Sequence, residues 1–156
     1  MSVPFVIASD HRGVGLKSEI TNFLKSKGVQ VKDLGTNSDA SVDYPDYALK
    51  AAQAVAKGEA EQGIVICHSG IGVSISANKV KGIRAALCQT VEQAELARKH
   101  TNANVLALPA GFVNSELAKK IVSKWLVSDF EGGRHEGRIE KIKTFEERQK
   151  LSPTNF

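Results

Sequence analysis

Five short apolar runs, each followed by a polar loop and a helix-spaced segment, constrain this chain more than any other feature. The clearest is Gly63–Cys67 (GIVIC), a nearly continuous apolar run of the kind covered on both faces of a sheet. Strands that alternate with helices in this way predict an α/β domain: a three-layer α/β/α sandwich, Rossmann-like, around a five-stranded parallel sheet.

The remaining elements fall into the same rhythm. Val3–Ala8 reads as the first strand and Ser9–Gly13 as its loop. Val14–Lys27 follows, with Leu16, Ile20, Phe23 and Leu24 on an apolar face and Lys17, Glu19, Lys25 and Lys27 on a polar one. Gly28 is the expected helix stop before a second strand, Val29–Leu34. After the polar loop Gly35–Tyr44, Pro45 suits the first turn of an alanine-rich helix that ends near Gly58. Val73–Lys79 opens the next helix; Ile83–Cys88 reads as the fourth strand, Val91–His100 as a helix, and Asn104–Leu108 as the fifth strand. Asn114–Val127 is an amphipathic helix, Glu131–His135 a flexible turn, and residues 138–150 a charged C-terminal helix, too polar for a core and expected to pack on a partner subunit. No linker, repeat or low-complexity tract divides the chain, so residues 1–156 read as one domain.

Composition narrows the function classes. No apolar run approaches the roughly 20 residues that span a bilayer, and the N-terminus lacks the basic segment of a signal peptide. Two cysteines without framework spacing point to a reducing, cytoplasmic setting. The formal charge of +4 fits either a solvated surface or a field that favours anionic substrates. The basic residues are dispersed and not interleaved with aromatics, which argues against nucleic acid as a partner, and no membrane partner is expected.

In open α/β sheets the working groups sit beyond the carboxyl ends of the strands. Ser9-Asp10-His11-Arg12-Gly13 falls there after the first strand, and Cys67-His68-Ser69-Gly70-Ile71-Gly72 after the third. A third polar cluster, Lys99-His100-Thr101-Asn102, ends a helix, and periodicity does not say where it lies. In the Cys67 cluster the glycines let backbone amides crowd toward a ligand, and the following helix N-terminus favours negative charge on sulfur. The same amides can hold an enediolate, the oxyanion left when a proton departs the carbon beside a carbonyl. Spacing alone also fits Cys67 as a small core residue closing a strand, and Cys88, with no glycines after it, reads as core. Val73 stands where a cysteine-phosphatase loop needs Arg, and no Gly-Lys-Ser/Thr P-loop occurs. A third glycine is missing from both dinucleotide-like pairs, Gly13/Gly15 and Gly70/Gly72. Zinc spacing is absent around Cys67, Cys88, His68 and His100, so no metal is expected.

Several motifs together resemble one family: Ser9–Gly13, Asp43-Tyr44-Pro45, Cys67–Lys79, Gly82-Ile83-Arg84-Ala85 and Glu131-Gly132-Gly133-Arg134-His135. In this order they are similar to the type B ribose-5-phosphate isomerases, grouped with the galactose-6-phosphate and allose-6-phosphate isomerases. The resemblance runs from about Val3 to Glu147. It implies a cofactor-free aldose–ketose isomerase acting on a phosphorylated sugar, as a homodimer or tetramer with active sites shared between subunits. Cys67 would be the base that carries a proton between C1 and C2 through a cis-enediolate, with the Ser69 hydroxyl near the reacting oxygens. His100 would open the furanose ring and Asp10 would contact sugar hydroxyls. The amides of Gly70, Ile71, Gly72, Val73 and Ser74 would form the anion hole. His11, Arg134 and Arg138 would hold phosphate, while Asp43 and Tyr44 would line the sugar pocket.

Three departures from the family pattern bear on the substrate. His68 stands where Gly is usual, Thr101 where Asn is usual, and Pro109-Ala110-Gly111 where a Gly-x-Arg would bring an Arg to phosphate. Arg12 or His68 is left to replace that arm, and Thr101 takes the place of an amide on the sugar. Ribose 5-phosphate is the first substrate expected, and allose 6-phosphate, galactose 6-phosphate or a tetrose phosphate the rivals. A phosphosugar-binding module without chemistry, and one subunit of a two-component isomerase, are the other classes left open.

Overall fold

The computed structural model describes residues 3–151; residues 1–2 and 152–156 of the expected domain lie outside the described residues. Five strands, β1 (Val3–Ser9), β2 (Val31–Asp33), β3 (Ala60–Cys67), β4 (Ala85–Leu87) and β5 (Val105–Pro109), form one parallel sheet in the order β2-β1-β3-β5-β4. Helices α1 (Val14–Ser26), α4 (Val91–Thr101) and α5 (Ser115–Val127) cover one face, α2 (Tyr44–Ala56) and α3 (Ile71–Asn78) the other. A last helix, α6 (Arg134–Leu151), follows α5. Among the described residues no helix is long and apolar enough to cross a membrane.

Strand pleating divides the core. Phe5, Ile7, Ile64, Ile66, Leu106 and Leu108 point to the face where Ile20, Leu24, Ile121 and Trp125 pack. Val6, Ala8, Val65, Cys67, Val105 and Ala107 point to the other, where Ala48, Ala51 and Ala52 let α2 approach closely. Each fully buried Ile or Leu contributes about 1.5–3 kcal/mol, which is why the central strands are apolar on both sides.

Most elements lie within a few residues of their sequence-based limits, and the differences have causes. β3 begins at Ala60, earlier than its apolar run, because Gln62 accepts a hydrogen bond from Trp125 Nε1 at 2.6 Å and is held at the sheet. Lys17, expected on the polar face of its helix, is buried: its Nζ reaches Asp33 Oδ2 at 2.5 Å and Asn37 Oδ1 at 2.8 Å. The last helix starts at Arg134, a turn before the expected residue 138, and turns Ile139 and His135 inward. Glu131–Gly133 is all that remains of the turn before it.

Candidate active site

The strand order reverses between β1 and β3, and at such a switch point the two following loops diverge and leave a crevice. In the loop after β1, Asp10 is buried and its Oδ1 accepts from Arg12 N at 3.0 Å, capping a 3₁₀ turn at His11–Gly13. His11 Nδ1 accepts from Val42 N at 3.1 Å, which leaves the ring proton on Nε2 and ties the approach to α2 to this crevice. Tyr44, at the start of α2 beside Asp43, lies over Gly72: a Cβ there would stand 2.4 Å from the Tyr44 ring.

Cys67 ends β3 with 5% of its surface exposed. Beyond it the pairing with β5 continues into the loops, Ala110 N donating to Cys67 O at 2.9 Å and Gly111 N to His68 O at 2.8 Å. Gly70 then turns with φ 72°, where a Cβ would meet Leu87 at 2.5 Å and Pro109 N at 3.1 Å, so conformation and space both demand glycine. Ile71 N donates to Ser69 Oγ at 3.2 Å and Ser74 N to Gly70 O at 3.3 Å. The amides of Gly72 and Val73 have no partner among the described residues. Two open amides at a helix N-terminus beside a thiol are suited to hold a developing oxyanion. Cys88 differs: it is sealed in the opposite core layer, and burial pushes its thiol up to about 12.

The other expected residues gather elsewhere. Each connecting helix runs back from the carboxyl to the amino ends of the strands, so His100 and Thr101, at the end of α4, lie at the amino end of the sheet. Arg134 and Arg138 lie one turn apart on the exposed part of α6. Thr101 Oγ1 donates to Ala97 O at 2.6 Å, which commits that hydroxyl to the helix. The His100 ring stacks on His135, centroids 4.2 Å apart and planes within 12°, with Glu131 Oε1 3.8 Å from His100 Nε2 and 3.6 Å from His135 Nε2. This trio is the group among the described residues whose donor atoms come close enough to suit a metal ion. Parallel stacking sets the two ring lone pairs in separate planes, so the rings do not converge on one ion.

Cys67, Ser69–Ser74, Asp10, His11, Asp43 and Tyr44 therefore assemble at one end of the sheet, and His100, Thr101, Arg134 and Arg138 at the other. Sequence reasoning left out His135 as a site residue. Its spacing four before Ile139, on the one buried stripe of a charged helix, was the available signal. Two of the three departures turn out to be one. A Cβ on Gly111 would stand 2.1 Å from His68 Cε1, so the imidazole fills the space that a side chain at 111 would need, with Phe112 beside it at 5.6 Å between centroids.

The profile of the Ribose/Galactose Isomerase family matches residues 5–142. The chain is 49% identical over 140 residues to ribose-5-phosphate isomerase B of Escherichia coli, covering 90% of this chain and 94% of that one. The chain belongs to the ribose/galactose isomerase family. Ribose-5-phosphate isomerase B of Clostridium thermocellum superposes with a TM-score of 0.92 at 50% identity, over 94% of this chain and 99% of the other. The Mycoplasma genitalium enzyme, solved with bound ribulose-5-phosphate, gives 0.90 at 49% identity, over 94% and 98%. The parallel five-stranded sandwich expected from the strand–helix rhythm is thus the fold that members of the ribose/galactose isomerase family share with this chain.

Proposed function

We propose that this chain isomerises an aldose phosphate to its ketose, ribose 5-phosphate to ribulose 5-phosphate first among them, without a cofactor and in the cytoplasm. The observation that carries the reading is the Cys67 loop: a thiol at the switch point of the sheet, beside two open amides, in a chain nearly half identical to a ribose-5-phosphate isomerase B. In the open-chain aldose, Cys67 as thiolate takes the proton from C2. The C–H pair becomes the C1=C2 bond, and the carbonyl pair moves to O1, where the open amides of Gly72 and Val73, within the Gly70–Ser74 loop, hold the negative charge. Return of the proton to C1, with the O2 hydroxyl proton passing to O1 past Ser69, yields the ketose. Asp10, Asp43 and Tyr44 line the sugar, and His11 offers its Nε2 proton to the anionic end.

An aldopentose 5-phosphate such as ribose 5-phosphate is mainly a furanose, so a second group must open the ring, and His100 is assigned to it. Topology keeps His100, Arg134 and Arg138 away from Cys67 within one chain, which supports a homodimer or tetramer in which a second copy completes each site. The exposed Ile142 and Phe145 of α6 suit such a contact. The decisive assay is exchange of the C2 hydrogen with solvent across four- to six-carbon aldose phosphates, wild type beside Cys67→Ser. Turnover of ribose 5-phosphate that disappears in the variant is expected; a variant as active as wild type would remove Cys67 from the mechanism.

A second reading rests on the His68–Gly111 contact. The ring narrows the mouth of the loop and removes any side chain from position 111, which favours another aldose phosphate as the best substrate. The same panel ranks them by kcat/KM.

A further inference from the structure

The amino-end cluster holds a group that the reading above does not use. His135 is 5% exposed and its Nε2 has no hydrogen-bond partner, in a protein where most buried polar atoms are satisfied. Its ring faces His100 at 4.2 Å and nearly parallel, while the His100 side chain keeps 39% of its surface open. Glu131 N donates to Lys99 O at 3.0 Å, which fastens the turn before α6 to the end of α4. The exposed ring therefore rests on a buried one, and the backbone around both is pinned.

We propose that His135 is a positioning residue for His100, a flat neutral ring that fixes the plane in which the His100 imidazole meets the furanose oxygen. The inference rests on the isomerase reading and deepens it. Burial is the main force keeping His135 uncharged, aided by His100, Arg134 and Arg138 and opposed by Glu131. A neutral partner lets His100 gain and lose a proton without a second cation stacked on it. With one face of His100 covered and Glu131 Oε1 3.8 Å from its Nε2, ring rotation is restricted, the kind of orientation whose loss costs ~10- to 100-fold in rate.

The test separates ring opening from proton transfer. Ribose 5-phosphate must be opened, whereas ribulose 5-phosphate cannot close a furanose because its C5 oxygen carries the phosphate. Turnover of ribose 5-phosphate therefore needs both steps, and wash-out of the C1 hydrogen of ribulose 5-phosphate into solvent needs the enediolate step alone. His135→Ala should slow turnover ~10-fold or more at nearly unchanged KM and leave wash-out within about twofold of wild type. His135→Phe, which keeps a flat ring and the packing, should restore most of the turnover. His100→Ala should show the same selectivity as His135→Ala, and Cys67→Ser should lose both activities. An equal loss of turnover and wash-out in His135→Ala, no loss, or failure of the Phe variant to rescue would overturn the proposal. A non-selective His100→Ala would also end it while the isomerase reading stands. Wild type without turnover or wash-out would overturn both.

Discussion

The two ends of the sheet, which the proposed function joins in one site, are built from different materials. At the carboxyl end the tools are backbone: a Gly70 turn, two open amides and a buried thiol at the end of the central strand β3. At the amino end they are side chains, His100 stacked on His135 and the exposed Arg134 and Arg138, all carried on helices. Backbone donors are fixed before substrate arrives and suit charge that appears only in the transition state. Guanidinium groups on an exposed helix suit a phosphate that is charged throughout. Under the proposed function, proton transfer belongs to the carboxyl end and ring opening, with the arginine contacts to phosphate, to the amino end, and a second copy of the chain would join them.

The comparison breaks most visibly by mixing two variants that are each deficient in turnover of ribose 5-phosphate. Cys67→Ser and His100→Ala, dissociated and reassembled together, should recover about a quarter of wild-type turnover. Random pairing puts about half of the dimers in the mixed form, each with one intact composite site. No recovery would mean that each chain builds its site alone. Next in size, Gly70→Ala should act on kcat, ~10-fold or more, and lower stability by about 1–3 kcal/mol in a denaturant titration, because the left-handed turn is lost. Arg138→Ala should instead raise KM about 10-fold with kcat and stability nearly unchanged, the cost of one charge-assisted contact to phosphate. If both substitutions moved the same kinetic constant, the division between ends would be wrong.

Smaller effects sharpen the picture. Gly111→Ala should displace the His68 ring and alter kcat/KM a few-fold, unequally among aldose phosphates. At the amino end, His135 has a folded-state affinity for protons below that of an ordinary imidazole. Its neutral burial stabilises the fold fully above the usual value of about 6.5, and the contribution is lost as pH falls below that toward the lowered value. The melting temperature of His135→Phe should therefore decline less between pH 7 and pH 5.5 than that of wild type; an identical decline would show that the ring already takes a proton in the fold.

How far the chain can be read without coordinates also differs between the ends. The Cys67 loop is contiguous, so its residues, glycines and helix start are legible from Gly63 to Lys79. The strands follow from apolar runs, because a central parallel strand leaves no place for polar side chains. Lys17 was misread because its partners Asp33 and Asn37 belong to another element, and helical spacing sees only neighbours on one helix. The His100 cluster was hidden for the same reason: Glu131 and His135 reach it across the fold, not along it. The start of α6 was missed because glycines at 132 and 133 read as a turn, yet they lead straight into the helix at Arg134.

The seat of His68 on Gly111 ties the residues at the two positions to each other. While the imidazole lies there, any side chain at 111 would overlap it. A side chain at 111 and the ring in this rotamer at 68 are therefore mutually exclusive. Chains that carry a histidine after the cysteine that ends the third strand should therefore carry glycine at this place in the fifth loop.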